Sequence, residues 1–268
     1  MAKMSLSIII PVCSDRRVFD CIRSIDVDAE VIVVLNGNYD PFIEKNLKKY
    51  NVKVLKMDGN FSFSKFYNFG IKNSNGSRIF FLDSDSEIAK GSLKQLYEKT
   101  KEYPIVKGDV RFTYNSFWSK IIAKAREFTT RDVPDFYIPG PMFTRKVFDK
   151  AGYFNEYISW TSPTELFIRI EEAKIKKCRV PIDVIIHPPL NFKEDLESGF
   201  GYGLGRGERY VSSKIKNLPP FFKECKWHLI DGSRKKGFLV GTYLLFWYFI
   251  FTLGFIKAKI KYYLFERI

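Results

Sequence analysis

"RIFFLDSDSEI", residues 78–88, runs an Ile, two Phe and a Leu straight into Asp83, Asp85 and Glu87. The apolar half has the length and composition of a buried strand. An open α/β sheet binds its ligands in the crevice outside the carboxyl ends of its strands, so acids at that end stand where ligands are held. Carboxylates this close together predict a divalent-metal site. The competing reading is a polar turn in which Asp85 or Ser86 caps the next helix.

Upstream, "SLSIIIPV" (5–12), "EVIVVLN" (30–36) and "VKVLKM" (52–57) are short β-branched runs with room for a helix after each. This alternation predicts an α/β fold with a doubly wound, mostly parallel sheet. Downstream, "IVKGDVRFTY" (105–114), "FYIPGPMFTR" (136–145) and "DVIIHP" (183–188) read as further strands, and a charged helix is expected near 163–177. No internal repeat or low-complexity linker interrupts the chain. The organisation expected is a main domain over residues 1–215 and a basic, aromatic helical region over 216–268.

At 268 residues and 46% hydrophobic content the chain is long enough for such a domain with an appendage. Cys13, Cys21, Cys178 and Cys225 show no CxxC spacing, which argues against a zinc module or a disulfide framework and fits a reducing compartment. The first apolar run is too short for a secretory signal and reads as a strand, so the bulk of the protein is expected in the cytosol.

The net charge of +14 is concentrated at one end: Gly201–Ile268 holds 13 Lys and Arg against 4 acids. An anionic partner is implied. "GFLVGTYLLFWYFIFTLGFI", 237–256, is twenty residues without a charge, about the length that crosses a hydrocarbon core. Arg234, Lys235 and Lys236 precede it, and Lys257, Lys259 and Lys261 follow. Membrane lipids therefore fit as partner and nucleic acid does not. Basic clusters on both sides conflict with a single C-terminal span, whereas a helix in the interface, or one bent back on itself, keeps both on the cytosolic side; the competing reading is a buried hydrophobic helix packed on the main domain. "GFGYGLGRGERY", 199–210, lacks the spacing of a dinucleotide fingerprint. It reads as a flexible stretch that closes over phosphates, with Arg206 and Arg209 facing a diphosphate or anionic acceptor, or as a connection to the membrane segment.

Taken in order, "SIIIPV", "VIVVLNG", "NFSFSKFYNFGI", "GSRIFFLDSD" and "AGYFNEY" resemble the inverting glycosyltransferases of family 2, which have the GT-A (Rossmann-like) fold. The likeness covers about residues 5–190. The third motif is similar to that of rhamnosyltransferase-like members, through Asn60, Phe63, Asn68, Gly70 and Ile71, with Ser62 in place of a glycine. The resemblance implies an enzyme that moves a sugar from a nucleotide-sugar donor to a lipid-linked or glycan acceptor, and together with the apolar, basic C-terminal segment it gives the expectation of a membrane-associated enzyme at the cytosolic face. "LDSD" matches the family's DxD signature. It implies that Asp83 faces the ribose or metal and Asp85 holds Mg or Mn on the donor diphosphate, where a hard cation stabilises the leaving group. Pro11, Val12 and Cys13 occupy the nucleobase position, although relatives often carry Tyr or Phe where Cys13 stands. Asn36 matches a base- or ribose-contacting position, Lys65 is placed to reach the diphosphate, and His187 is a candidate third metal ligand.

One departure bears on mechanism. The family places Glu-Asp ahead of x-Asp/Glu-Leu-x-x-Arg, and the Asp of that pair is its general base. Here Glu165, Leu166 and Arg169 fit the downstream half, but Ser162 and Pro163 replace the pair. Ser162-Pro163-Thr164-Glu165 is also a capping box. The base is then Glu165, or another acid such as Asp135 or Glu156. Alternatively the acceptor is an already ionised polyprenyl phosphate that needs no base, or the chain is a non-catalytic relative that binds a sugar nucleotide.

Overall fold

The structure is a computed structural model and describes residues 4–57, 59, 62–131, 139–158, 160–212 and 225–265. The chain divides into two compact units: Met1–Arg111, Asp135–Glu156 and Pro163–His187 in one, Phe112–Pro134, Tyr157–Ser162 and Pro188–Ile268 in the other.

The first unit is built on β1 (Leu6–Val12), β2 (Glu30–Leu35), β3 (Lys53–Lys56), β4 (Arg78–Phe81), β5 (Glu87–Ile88), β6 (Ile105–Phe112), β7 (Pro141–Thr144) and β8 (Lys177–His187). Its helices are α1 (Val18–Arg23), α2 (Pro41–Leu47), α3 (Phe63–Lys72), α4 (Ser92–Lys99), α6 (Lys146–Ala151) and α7 (Ser162–Glu172). The strands lie in the order β3-β2-β1-β4-β7-β6-β8-β5. β1 pairs in parallel with β2 and β4, and β2 with β3. Beyond β4 the direction alternates, because β7 is antiparallel to both β4 and β6. The sheet is therefore mixed: its parallel half is the doubly wound part, and the rest is antiparallel.

Every residue of β1 is buried, as a central strand covered on both faces must be. Beneath it, Ile9, Ile32, Phe81, Phe143, Phe148 and Phe154 belong to one core cluster with Phe66 and Tyr67 of α3. Gly70 lets α3 approach this layer: a Cβ there would fall 2.5 Å from Ile9 Cγ2. β4 stops at Phe81, short of the expected 85, because the acids that follow have no place inside the sheet. β7 and β6 are also shorter than expected, and β8 is longer, reaching back to Lys177. Residues 136–138 of the expected second downstream strand lie outside the described residues.

The second unit is helical: α5 (Phe117–Arg131), α8 (Phe192–Ser212), a π-helical turn over Trp227–Asp231, α9 (Gly232–Lys236) and α10 (Phe238–Phe265). Gly237, at φ +106°, breaks α9 from α10. α10 is long and apolar enough to cross a membrane by length and composition.

The expectation of a flexible 199–210 stretch is overturned, since these residues form the body of α8. Glycine at every second position of a helix falls on two stripes, because residues four apart share a face. Gly199, Gly203 and Gly207 meet Trp247, the Phe251 carbonyl and Ala258 of α10, while Gly201 and Gly205 meet Trp160. Gly254 of α10 returns the contact, facing the Phe200 carbonyl. This small-residue packing brings the two backbones together. Beside it, Arg126 of α5 donates through Nε to buried Asp195 of α8 at 2.5 Å, and the Tyr243 hydroxyl of α10 donates to the other carboxylate oxygen. Breaking such a buried pair costs about 3–5 kcal/mol.

Gly203 offers a test. In an open helix, Gly→Ala stabilises by about 1 kcal/mol. A Cβ at Gly203 would lie 1.9 Å from the Phe251 oxygen, so Gly203→Ala is expected to lower the melting temperature by several degrees in a circular-dichroism melt. A rise would refute the close helix contact.

Candidate active site

β1, β2 and β3 step outward in order, and the chain then returns to lay β4 on the opposite side of β1. That reversal opens a crevice outside the carboxyl ends of β1 and β4. Pro11 lies past the last β1–β4 pair, Ile9–Phe81, so its missing N–H interrupts no ladder there. Pro11 and Val12 are buried in the strand and Cys13 emerges exposed beyond it. The Cys13 carbonyl accepts from Asp40 N at 3.0 Å and its thiol donates to the Asn38 carbonyl at 3.5 Å. Asn36 N donates to the Val12 carbonyl at 3.0 Å, and Asn36 Oδ1 accepts from Gly37 N at 2.9 Å. The strand ends thus hold Pro11, Val12, Cys13 and Asn36 on one rim.

Across the reversal, Asp83–Ser86 closes as a turn, with Ser86 N donating to the Asp83 carbonyl at 3.1 Å and Ser86 Oγ to Asp85 Oδ1 at 3.0 Å. The turn runs into β5, whose antiparallel pairing Glu87–Ile186 and Ile88–Ile185 brings the end of β8 back to it. Register carries His187 opposite Ser86, and its Nε2 lies 3.5 Å from Asp85 Oδ2. Arg17 reaches within 3.8 Å of the same carboxylate while it binds Asp15 through Nε and Nη2. Burial raises the Asp15 carboxyl, but the Arg17 hydrogen bonds outweigh it and hold the group below the ordinary value.

Asp83 is the perturbed group. Loss of hydration, reinforced by the like charge of Asp85, pushes its carboxyl up to about 7, against a long 3.4 Å hydrogen bond from the Tyr67 hydroxyl. A carboxylate that resists ionisation beside a second carboxylate is a position where added positive charge is strongly favoured. Among the described residues no three His, Cys, Asp or Glu side chains form a cation cage. The donor set nonetheless suits Mg or Mn, which take one or two carboxylates and complete their shell with water and substrate phosphate oxygens.

Asn68 of α3 ties the third and fifth motifs together. Its Nδ2 donates to the Phe154 carbonyl at 2.9 Å and to Glu156 Oε1 at 2.8 Å, and its Oδ1 accepts from Phe154 N at 3.0 Å. Ser62 Oγ donates to the Glu156 carbonyl at 3.5 Å. Lys65 sits half-buried in the first turns of α3. Glu165, at the start of α7, gives both oxygens to Arg169, from Nε and Nη2 at 2.8 Å each. The same guanidinium donates to the Ala151 and Tyr153 carbonyls, so it fastens α7 to the turn after α6. Arg206 belongs to the second unit, on α8, with its guanidinium over the Phe251 ring at 5.6 Å. Asn60 and Asp135 lie outside the described residues.

The model of glycosyl transferase family 2 matches residues 7–155, more than half of the chain. The protein belongs to glycosyl transferase family 2. No curated protein matches it in sequence. Among solved structures, the mannosyltransferase PcManGT from Pyrobaculum calidifontis, in complex with GDP-Man and Mn2+, superposes with a TM-score of 0.65 at 14% identity, over 100% of this chain and 89% of its own. S. aureus TarS 1–349 does so with a TM-score of 0.54 at 15% identity, over 97% and 91%. Its complex with UDP-GlcNAc gives 0.56 at 14%, over 97% and 92%. At these identities the likeness is one of fold, and the GT-A architecture expected of a family 2 glycosyltransferase is the one found.

Two neighbours of the acids escaped the sequence reading. Tyr67 lies inside the third motif, among the residues that carry the resemblance but not one of them. Arg17 follows β1 in "SDRR", and the loop after the first strand of a doubly wound sheet always borders the crevice, which is the signal that would have found it.

The Asp83 shift has a sign that can be checked. In the folded, metal-free protein the carboxyl keeps its proton to about 7, whereas the unfolded chain releases it near 3.8, so stability falls as pH rises between those values. Asp83→Asn removes this loss. In EDTA its stability advantage over the parent is expected to grow by roughly 2.5 kcal/mol between pH 5 and pH 8. Denaturant titrations at the two pH values measure it, and a constant difference would show that Asp83 is not held protonated.

Proposed function

We propose that this family 2 member is a membrane-associated, inverting glycosyltransferase that moves a sugar from a nucleoside diphosphate donor to a hydroxyl of a lipid-linked or glycan acceptor. The observation that carries the reading is the pairing of Asp83 with Asp85 across the β1–β4 reversal from Val12, Cys13 and Asn36, with His187 3.5 Å from Asp85. The complexes of the fold neighbours with GDP-Man and Mn2+ and with UDP-GlcNAc support a donor of this class. The membrane part rests on the long apolar α10 and the basic residues around it.

In this reading Pro11, Val12, Cys13 and Asn36 receive the nucleoside, with the Asn36 NH2 as a hydrogen-bond donor to base or ribose. Asp83, Asp85 and His187 are the residues that would hold Mg or Mn, which neutralises charge gathering on the departing diphosphate. Lys65 and Arg17 add positive charge beside the same group. The acceptor attacks the anomeric carbon from the face opposite the diphosphate, so the configuration inverts.

A hydroxyl acceptor must also lose its proton. Glu165, the residue the family resemblance points to, is engaged on both oxygens by Arg169, which commits the side chain to the ion pair. Glu156 accepts from Asn68 through Oε1, and in this reading Oε2 takes the proton of the incoming hydroxyl. The base is therefore assigned to Glu156, with Glu165 as the alternative. The same ion pair, together with Pro163, favours a second reading in which the acceptor is an ionised polyprenyl phosphate.

The test is a transfer assay with nucleotide sugars, Mg or Mn, and either a sugar-hydroxyl or a polyprenyl phosphate acceptor. Asp85→Ala is expected to lower kcat at least 100-fold; transfer that survives with unchanged metal dependence would sink the site assignment. Glu156→Gln is expected to cost about 10²–10⁴-fold with a hydroxyl acceptor. A loss confined to Glu165→Gln would move the base there. Full activity of both variants, with transfer to the bare phosphate, would make the second reading the answer.

A further inference from the structure

We infer that α10 seats the protein along the surface of an anionic membrane, within one leaflet, and does not cross the bilayer. This rests on the membrane association proposed above and specifies its geometry. Leu239, Phe246, Phe249, Leu253, Ile256 and Ile260 are each 42–54% exposed. Their spacings of three, four and seven residues put them on one face of α10 as an apolar stripe. Over Leu239–Ile260 the stripe runs roughly 32 Å at 1.5 Å per residue.

The opposite face of α10 is taken. α8 lies against it through Gly199, Gly203 and Gly207, which meet Trp247, Phe251 and Ala258, the middle and later parts of the apolar segment. α8 is a polar helix: its sequence holds Lys193, Glu194, Asp195, Glu197, Arg206, Glu208 and Arg209, and of these Lys193, Glu194 and Glu197 are exposed. A spanning α10 would carry α8 into hydrocarbon with it, and a charged residue at bilayer depth costs about 2.5–3.5 kcal/mol even on the mildest scale. Buried Asp195 fastens the two helices to α5 as well, through Arg126 and Tyr243, so α10 has no path into the bilayer that leaves α8 behind without breaking that network.

An in-plane seat needs no such cost. The stripe enters the leaflet and α8 stays on the aqueous side. Lys257 and Lys261 are exposed and stand roughly 40° and 80° round the helix from Leu253, at 3.6 residues per turn. From there their stems extend over the apolar margin while the ammonium groups reach phosphates. Arg234 and Lys235, also exposed, place the same charge at the other end. This rim selects the occupant: it is complementary to anionic lipid, about 1 kcal/mol per basic residue near such a surface, and it repels a second copy that would bring an identical rim.

The experiment uses the full chain with Cys13, Cys178 and Cys225 changed to Ser and carrying Arg234→Cys with Lys261→Cys, reconstituted into sealed phosphatidylglycerol–phosphatidylcholine vesicles. A membrane-impermeant maleimide is added and the products are weighed. An in-plane helix gives molecules labelled at both cysteines or at neither, whichever way each faces. Singly labelled molecules would mean that α10 spans, overturning the geometry but leaving membrane association intact. In parallel, Phe246→Glu with Leu253→Glu, both at exposed positions, is expected to reduce flotation with the same vesicles at least tenfold without moving the thermal melt. Undiminished flotation would remove the stripe as the seat. Failure of the parent chain to float would overturn membrane association itself. A parent that is dimeric in lipid-free buffer, and monomeric as the double Glu variant, would assign the stripe to a second copy.

Discussion

Everything at the candidate site follows from where β4 lies. It is the strand at which the winding reverses and at which parallel pairing gives way to antiparallel, with β1 on one side and β7 on the other. Ile79, Phe80, Phe81 and Leu82 are fully buried, so the first polar side chains the chain can place are those at the strand's exit. The exit is the crevice. Asp83 and Asp85 are held there by a strand that cannot slide, because a shift of one residue would draw Asp83 into the fully buried run. The turn between them is pinned a second time by β5 on β8, which brings His187 to Asp85.

The parallel half of the sheet was legible because its signals are local. β-branched runs at β1, β2 and β4 mark strands buried on both faces, and the acids after "IFFL" are conspicuous against that background. Asn36 and Cys13 could be placed for the same reason, each being the first residue or two past a buried strand. His187 was legible as the end of an apolar run, but its nearness to Asp85 depends on the antiparallel register of β5 and β8, about a hundred residues apart, and no local pattern encodes that. The contacts of Arg17 and Tyr67 with the acids are likewise products of tertiary packing.

The glycines of 199–207 misled for a definite physical reason. Alternating glycine lowers helix propensity residue by residue, and read alone it argues for a loop. The helix forms because packing compensates: without Cβ atoms the α8 backbone lies against α10 on one side and Trp160 on the other, and the buried contact exceeds the propensity lost. The pattern carried its own correction, since positions four apart form two stripes, but only for a reader who already supposed a helix.

The replacement of the family's acidic pair by Ser162 and Pro163 is best understood through Arg169. Glu165 is its acidic partner on the helix, and the bidentate bond is i to i+4. The same guanidinium satisfies the Ala151 and Tyr153 carbonyls at the turn that Asn68 fixes from the other direction, through Phe154. Arg169 and Asn68 therefore clamp one short segment, 151–156, from two helices. Neutralising Glu165 would leave Arg169 a buried-edge cation with carbonyl partners alone, which destabilises the clamp. Glu156, the last residue of that segment, is tied to the same clamp, since the Asn68 amide that fixes Phe154 also donates to Glu156 Oε1, and the base proposed above therefore depends on the same support as the fold of 151–156.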